Sequence, residues 1–269
     1  NPLASNLTLE QQKNLFGNAY LNMLWHCPTD QRFPYWVHLP DCYYDEKDPH
    51  YKLLVIIHGT GCAVEDYVRH AKELADRDHV AVLAPLFPGG LIQRDDFNSY
   101  KLLSCDGVRY DQILLDMIDD MAKRYPGVET DKFFLFGHSG GGQFANRFLF
   151  AHPEKLRACA IGAPGRPTFL NPDEDYFWGT RDFKNYFGHD VDLAAVQKVP
   201  VLVIVGENDT KFIGDSPYGD NRVARMKSLQ KNLQDHGVHT ELTILPGFAH
   251  EGGEKERVQA AQHFFEAYL

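Results

Sequence analysis

The sequence contains few cysteines, and those it has are far apart. There are five in 269 residues, none of them in a Cys-x-x-Cys pair: Cys27, Cys42, Cys62, Cys105 and Cys159. This spacing argues against a cysteine-rich metal site and against a dense disulfide framework. A single bridge between Cys27 and Cys42 stays open as an alternative.

Basic charge and long apolar runs are also scarce. The chain has 27 Lys and Arg residues against 37 Asp and Glu residues, which gives a net charge of −10. Nucleic-acid binders usually carry a basic patch or domain, so the sequence disfavours that class. The longest apolar runs, at 53–57 and 201–205, are strand-sized and far short of the ~18 residues that a membrane span requires. We therefore expect no nucleic-acid partner and no membrane span.

Cofactor motifs are missing as well. The sequence has no His-Glu-x-x-His motif, and no Gly-x-Gly-x-x-Gly motif follows an apolar run. These motifs hold zinc and dinucleotides respectively, each through a defined local geometry. We therefore expect neither a metal nor an organic cofactor.

Apolar runs alternate with amphipathic stretches from residue 34 onwards. The predicted strands cover 34–39, 52–58, 80–84, 133–136, 158–161, 201–205 and 240–245, and the predicted helices cover 64–77, 106–124, 140–151, 221–235 and 254–268. Continuous apolar strands that alternate with helices are typical of a mostly parallel sheet with helices on both faces. We therefore predict a single α/β domain over residues 1–269.

One connection breaks this alternation. Nearly forty residues separate the strand that ends near Ile161 from the strand that begins at Val201, and they include Phe169, Tyr176, Phe177, Trp178, Phe183, Tyr186 and Phe187. A long connection inside a compact domain is usually functional or disordered, and so many aromatic rings favour order. We predict that residues 166–198 form a small cap over a pocket; the alternative is an excursion packed on the edge of the sheet.

A glycine-rich motif stands where an apolar strand ends and a helix begins. Ser139 lies at its centre, within the sequence Phe-Gly-His-Ser-Gly-Gly-Gly of residues 136–142. A serine at such a turn requires a sharp backbone bend, which small residues two positions before and after it allow. The bend exposes the hydroxyl beside the N-terminus of a helix, where free N–H groups favour negative charge. The motif therefore predicts a nucleophile.

On this motif the chain resembles an α/β-hydrolase, and the resemblance extends over residues 34–269. In that family a nucleophile, an acid and a histidine follow one another along the chain. Ser139 matches the nucleophile, Asp209 the acid in the turn after a strand, and His250 the base in the loop before the last helix. The resemblance implies the α/β-hydrolase fold and a serine hydrolase of esterase or lipase type.

The same three residue types are what the chemistry requires. A serine hydroxyl is a weak nucleophile that needs a base, an imidazole can accept and return the proton, and a carboxylate fixes the imidazole tautomer. Glu207 and Asp215 are rivals for the acid. Since Glu207 precedes the turn and Asp215 lies farther into the loop, we predict Asp209.

Two backbone N–H groups are expected to form an oxyanion hole. One belongs to Gly140, directly after the nucleophile. The other comes from the sequence His-Gly-Thr-Gly at 58–61, which resembles the family's His-Gly-x-Gly signal. We predict Thr60 for this second donor, with Gly61 as the alternative, and we interpret His58 as structural.

The expected substrate is a small molecule, a carboxylic ester or lactone cleaved through an acyl-enzyme intermediate. Phe87, Trp178 and Phe248 are expected to wall an apolar pocket for an aromatic or aliphatic group. The region from Tyr35 to Gly59 also resembles esterases of the feruloyl-esterase and polyhydroxybutyrate-depolymerase type. Those enzymes are usually held by disulfides, and this chain lacks such a framework.

Other functions would use the same residues differently. The scaffold also supports carbon–carbon bond hydrolysis, and amide or peptide hydrolysis in which Glu207, Glu251 or the acidic run at 173–175 holds an amino group. A non-catalytic binding relative would be recognised by the loss of one member of the triad, and none is missing. Catalysis is therefore the preferred interpretation.

The compartment is addressed by one weak signal. A glycosylation sequon, Asn-Asp-Thr at 208–210, overlaps the predicted acid. A glycan there would block the site, so the sequence favours the cytoplasm over a secretory route. The chain begins with Asn1 rather than methionine, and we expect that a leader or an expression boundary has been removed. The oligomeric state is left open.

Overall fold

The computed structural model describes residues 7–46 and 49–269, so Asn1 lies outside the described residues. Its strands are β1 (Leu24–His26), β2 (Pro34–His38), β3 (Tyr51–Ile57), β4 (Val80–Pro85), β5 (Ser104–Cys105), β6 (Val108–Arg109), β7 (Val128–His138), β8 (Leu156–Gly162), β9 (Val201–Gly206) and β10 (Thr240–Leu245). Eight of them form one sheet in the order β1-β2-β4-β3-β7-β8-β9-β10, and β5 and β6 form a separate pair.

The large sheet is mostly parallel, as the sequence predicts. Strands β3, β4, β7, β8, β9 and β10 pair in parallel. Strands β1 and β2 are antiparallel and close one edge. Parallel strands must be connected by crossovers that run over the faces of the sheet, and so their carboxyl ends meet along one edge. The fold class predicted from the sequence is confirmed.

Helices cover both faces of this sheet. They are α1 (Leu9–Phe16), α2 (Val64–Asp78), α3 (Tyr110–Arg124), α4 (Gly140–Ala151), α5 (Phe183–Phe187), α6 (Leu193–Val196), α7 (Arg222–Asp235) and α8 (Glu254–Glu266). Because successive side chains of a strand point to opposite faces, Val55 and Ile57 join the apolar core shared with α3, α4 and α7, whereas Leu54 and Ile56 join the core shared with α2 and α8.

The long connection between β8 and β9 is folded. Its aromatic rings pack on one another around Tyr176, whose ring centroid lies 4.8 Å from that of Tyr186. The hydroxyl of Tyr176 donates to the carbonyl of Leu102 at 2.8 Å, and the N–H of Thr168 donates to the side-chain oxygen of Asn146 at 2.6 Å. The connection therefore packs against α4 and against the turn that precedes β5. Its role as a cap stays a prediction.

Some elements have no counterpart in the sequence-based prediction. Helix α1, strand β1 and the β5–β6 pair are short, so they carry too few residues for an apolar period to be recognised. Residues of this pair occupy the start of the predicted helix 106–124, so α3 begins at Tyr110. All five cysteines are free, which excludes the bridge between Cys27 and Cys42. Within the described residues, no helix is both long and apolar enough to cross a membrane.

Candidate active site

Ser139 occupies a strained turn between β7 and α4. Its backbone has φ 56° and ψ −111°, a conformation that residues other than glycine rarely adopt. The turn is closed tightly by its glycines: a Cβ on Gly137 would lie 2.2 Å from the carbonyl oxygen of Gly141, and a Cβ on Gly141 would lie 2.1 Å from that of Ile57. Larger residues would have to displace backbone, so glycine is required at both positions.

A chain of hydrogen bonds joins the three predicted triad residues. The carboxylate of Asp209, which is 1% exposed, lies with Oδ2 2.7 Å from Nδ1 of His250. Since a carboxylate can only accept, Nδ1 carries the proton. Nε2 is then free to accept from the Ser139 hydroxyl, whose oxygen is 2.9 Å away. The structure thus brings Ser139, His250 and Asp209 together in the order that proton transfer requires.

Of the three candidate acids, Asp209 alone contacts His250. Glu207 is exposed and accepts from the N–H of Gly247 at 2.9 Å, and Asp215 is exposed. Asp209 lies in the turn after β9, at the carboxyl edge of the sheet. Arg222 also faces this carboxylate, with Nη1 3.4 Å from Oδ1.

Two buried side chains hold the loop that carries His250 through hydrogen bonds to its backbone carbonyls. Arg257 of α8 is fully buried and donates to the carbonyls of Ala249 at 2.7 Å and His250 at 3.1 Å, and also to that of Gly252. Nε2 of His138 lies 3.2 Å from the same His250 carbonyl. Burial lowers the pKa of His138 well below its ordinary value, so this ring is neutral and donates through Nε2.

The two predicted oxyanion donors lie close together. A Cβ built on Gly140 would be 3.2 Å from the backbone nitrogen of Thr60. In residues 49–269 neither of these N–H groups donates to another backbone or side-chain acceptor. Free N–H groups that converge at a helix N-terminus are suited to bind an oxyanion.

His58 orients the peptide that carries the Thr60 N–H. Its Nε2 accepts from the N–H of Phe87 at 3.0 Å, so the proton resides on Nδ1, which donates to the carbonyl of Gly59 at 2.6 Å. Burial lowers the pKa of His58 to about 4. The ring is therefore neutral at pH 7 and ties the loop after β3 to the loop after β4.

Two cavities share Arg222 in their lining. The first, which we call the serine cavity, has a volume of about 350 Å³ and is lined by Gly59, Thr60, Gly61, Ala63, Asp66, Tyr67, His138, Ser139, Arg222, His250, Glu251 and Glu254. The second, which we call the cationic cavity, has a volume of about 460 Å³ and is lined by Asn98, Lys101, Leu102, Gln143, Arg147, Gly165, Arg166, Phe177, Ile213, Arg222 and Arg225.

The aromatic side chains expected to wall an apolar pocket lie behind these cavities. Phe87 is 1% exposed and stacks on Phe144 in the core, with ring centroids 5.3 Å apart. Trp178 lies under the guanidinium of Arg225, whose central carbon is 5.2 Å from a ring centroid. Phe248 packs toward the backbone of Gly253. None of the three is among the residues that line the two cavities, and a role for them in a substrate pocket stays a prediction.

The basic residues of the site were missed by sequence reasoning. They are Lys101, Arg147, Arg166, Arg222 and Arg225, which line the cationic cavity, and Arg257, which bonds to the His250 loop. The one available signal was Arg147, the single charged residue in the mostly apolar helix sequence Phe-Ala-Asn-Arg-Phe-Leu-Phe of 144–150. A basic residue within an apolar stretch is rarely buried without a partner or a function.

One group of side chains has the composition of a metal site. Among the described residues, Cys42, Glu46 and His79 place possible ligand atoms within 4.8 Å of one another. His79 precedes β4, so the group lies at the amino edge of the sheet, opposite the edge that carries Ser139. Nδ1 of His79 lies 3.1 Å from the carboxylate of Glu46, and the group takes no part in the site described above.

Comparison with known proteins identifies a family and similar folds. The model of the dienelactone hydrolase family matches residues 40–267. The fold is similar to poly(aspartic acid) hydrolase-1 from Sphingomonas sp. KT-1, with a TM-score of 0.73 and 19% identity over 90% of this chain and 96% of that one. It is equally similar to a poly(3-hydroxybutyrate) depolymerase from Bordetella parapertussis, with a TM-score of 0.73 and 19% identity over 98% and 96%. A ferulic acid esterase gives a TM-score of 0.63 and 17% identity over 92% and 94%. The curated protein sequences contain no match.

Proposed function

The chain belongs to the dienelactone hydrolase family, and from this premise we propose that it is a serine hydrolase that cleaves carboxylic esters or lactones. One observation carries the proposal: a continuous chain of hydrogen bonds runs from the Ser139 hydroxyl through His250 to Asp209, with distances of 2.9 Å and 2.7 Å. A serine becomes a useful nucleophile when a base takes its proton and an acid orients that base.

The reaction begins with attack of the Ser139 oxygen on the substrate carbonyl carbon. Nε2 of His250 accepts the hydroxyl proton and later returns it to the leaving oxygen. Asp209 remains ionised and stabilises the imidazolium. The resulting acyl-enzyme is hydrolysed by a water molecule that His250 deprotonates in turn. A lactone follows the same steps, and its leaving oxygen stays attached to the acyl group.

The N–H groups of Thr60 and Gly140 are proposed to bind the oxyanion of each tetrahedral intermediate. Their support is the short separation of the two groups and the absence of another acceptor for either within residues 49–269. Donors that are already oriented need little reorganisation as charge develops, which makes this a large contribution to catalysis.

We also propose that residues 166–198 act as a cap. Arg166 and Phe177 of this segment line the cationic cavity. An apolar substrate group, as expected from the sequence, would meet Tyr67 in the serine cavity.

Labelling with a fluorophosphonate tests the nucleophile. The intact mass should show one adduct on the wild-type chain and none on Ser139→Ala. Ser216→Ala is a matched control, because the hydroxyl of Ser216 donates to the Gly219 carbonyl rather than to a histidine, and it should label like the wild type. A folded wild-type protein that takes up no label would contradict the proposal and favour a binding protein.

Amide hydrolysis is a second candidate, favoured by the acidic side of the serine cavity. Asp66, Glu251 and Glu254 line it, and such carboxylates would attract an ammonium group near the reacting carbonyl. Paired aminoacyl p-nitrophenyl esters and p-nitroanilides separate the two activities. Turnover of the esters alone would restrict the enzyme to ester substrates.

A further inference from the structure

The cationic cavity differs in charge from the molecule that contains it. Five basic side chains line it, and no acidic residue does among those described: Lys101, Arg147, Arg166, Arg222 and Arg225. The chain as a whole has a net charge of −10. A cleft lined by one sign of charge concentrates ligands of the opposite sign. The cavity is therefore set up to attract negative charge.

Three of these basic side chains are buried. Arg147 is 1% exposed, Arg225 is 2% exposed and Lys101 is 6% exposed. Burial of a charge is costly unless an opposite charge compensates for it. A carboxylate beside each of them would be the most direct compensation.

Their hydrogen bonds go to neutral oxygens instead. Arg147 donates to the hydroxyl of Thr168 at 3.1 Å and to the carbonyl of Arg166 at 2.9 Å. Arg225 donates to three backbone carbonyls. Lys101 donates to a threonine hydroxyl at 2.7 Å and to an asparagine amide oxygen at 2.6 Å. These bonds orient the side chains. Within the described residues no carboxylate forms an ion pair with any of the three, and Asp96 and Asp220 act on Lys101 and Arg225 only at longer range.

The charges consequently act on one another. Burial lowers the pKa of Lys101 to about 8, and the nearby charge of Arg147 contributes to the shift. Burial also lowers the pKa of Arg225, with further contributions from Arg166 and Arg222. An anion placed among these groups would relieve both effects.

Arg222 connects this cavity with the catalytic residues. It lines both cavities, and its contact with Asp209, at 3.4 Å, is long for a hydrogen bond. Its Nε is buried and has no hydrogen-bond partner in the described part of the chain. A buried donor that is left unpaired is costly.

The cavity also adjoins the oxyanion site directly. Lys101 bonds to the side chain of Thr60, and its Cε would lie 2.7 Å from a Cβ on Gly140. Gln143, which follows Ser139 by one turn of α4, belongs to the lining. A substrate whose carbonyl lies at Ser139 can therefore extend into the cationic cavity.

We propose that the cationic cavity binds a part of the substrate that carries two or more carboxylates, so that the enzyme cleaves esters of polycarboxylic acids. Guanidinium groups pair with carboxylates through two parallel hydrogen bonds, and several of them converge here. The claim that the substrate carries these carboxylates rests on the proposed hydrolase function. The claim that the cavity binds carboxylates can be tested without catalysis.

The binding experiment uses Ser139→Ala, which leaves every residue of the cationic cavity unchanged. Calorimetric titration with tricarballylate should show binding, and the neutral trimethyl ester of tricarballylate should show none. Inorganic phosphate is titrated in parallel, since guanidinium groups also accept phosphate. Failure of tricarballylate to bind overturns the proposal, and binding of phosphate alone overturns the assignment to carboxylates.

The kinetic experiment compares p-nitrophenyl esters of butyric, glutaric and tricarballylic acid, which carry none, one and two free carboxylates. The ratio of kcat/KM for the tricarballylic to the butyric ester should exceed one. In Arg166→Met this ratio should fall roughly tenfold, which corresponds to ~1.4 kcal/mol. Lys231→Met is the control: it removes an exposed positive charge that pairs with Asp235 on α7, and the ratio should be unchanged.

The two proposals fail in different ways. Hydrolysis of all three esters at equal kcat/KM, without tricarballylate binding, overturns the carboxylate site and leaves the hydrolase function standing. Tricarballylate binding to Ser139→Ala, with no ester cleaved by the wild type, supports the site and refutes the hydrolase function. An equal fall of the ratio in Arg166→Met and Lys231→Met also overturns the site, because the effect would then be one of net charge.

Discussion

Replacement of Asp209 by asparagine tests the order of the catalytic residues. The carboxylate accepts from Nδ1 of His250 at 2.7 Å and is 1% exposed. An asparagine of the same shape offers an NH₂ group at this position, which would bond to an unprotonated Nδ1. The proton would then sit on Nε2, facing the Ser139 hydroxyl, and the imidazole could no longer act as its base.

The expected loss follows from this change of tautomer. Triad acids replaced in this way cost up to ~10⁴-fold in kcat, which is ~5.4 kcal/mol of transition-state stabilisation. Substrate binding does not use the carboxylate, so KM should change little. Steady-state kinetics with p-nitrophenyl butyrate measures both constants, and circular dichroism checks that the variant is folded.

Glu207→Gln provides the matched control. Glu207 precedes Asp209 by two residues, is exposed, and accepts from the N–H of Gly247 at 2.9 Å, a bond that a glutamine oxygen can also accept. Its kcat should stay close to that of the wild type. If Glu207→Gln reduces kcat far more than Asp209→Asn, the assignment of the acid is wrong and the reasoning from the 2.7 Å contact is refuted.

Three further outcomes follow from the packing around the site. Gly141→Ala should lower the stability to urea by several kcal/mol, because its Cβ would lie 2.1 Å from the carbonyl oxygen of Ile57, which is deep overlap; Gly61→Ala, with no atom within 4 Å of its Cβ, should lower it little. Arg257→Met should lower kcat by ~10- to 100-fold with little change in KM, since loss of its bonds to the histidine loop displaces the base by a fraction of an ångström or more; an equal rise in KM would contradict this positioning role. Lys101 has its pKa lowered from 10.5 to about 8, so between these pH values the unfolded chain retains a proton that the folded protein has released, and the contribution of Lys101 to stability should rise with pH by ~3 kcal/mol. Burial raises the pKa of other groups, such as Cys159 and Tyr67, which has the opposite effect on total stability over this range. Denaturant titrations at the two pH values should therefore give a stability change that is ~3 kcal/mol more positive in the wild type than in Lys101→Met.

The sharp turn at Ser139 could be predicted because its requirements are local. A strand, a sharp turn and a helix follow one another within residues 133–151, and the turn needs glycine at defined distances from Ser139. The structure gives the steric reason, since a Cβ at Gly137 or Gly141 would overlap backbone oxygens. Apolar runs likewise predict the parallel strands. A strand that is buried on both faces has apolar side chains on both, so it stands out in the sequence as a continuous apolar run.

The choice of the acid and the base also came from sequence, although by order along the chain rather than by contact. Asp209 and His250 each follow a strand, and parallel strands bring their carboxyl ends to one edge of the sheet. The sequence could rank Asp209 above Glu207 and Asp215, but only the tertiary structure shows that Asp209 alone of the three reaches His250. Their catalytic roles remain predictions that the experiments above test.

The charge of the cationic cavity was decided by tertiary structure alone. Its basic side chains come from separate segments: Lys101 precedes β5, Arg147 lies on α4, Arg166 follows β8, and Arg222 and Arg225 lie on α7. Nothing in their spacing along the chain shows that they converge, and a net charge of −10 gives no sign of a local cluster of basic residues. The aromatic residues gave the opposite expectation because an aromatic residue fills a core as readily as it lines a pocket. The sequence alone therefore predicts geometry that depends on neighbouring residues, such as the turn at Ser139. The convergence of side chains from distant elements is fixed only when those elements pack together.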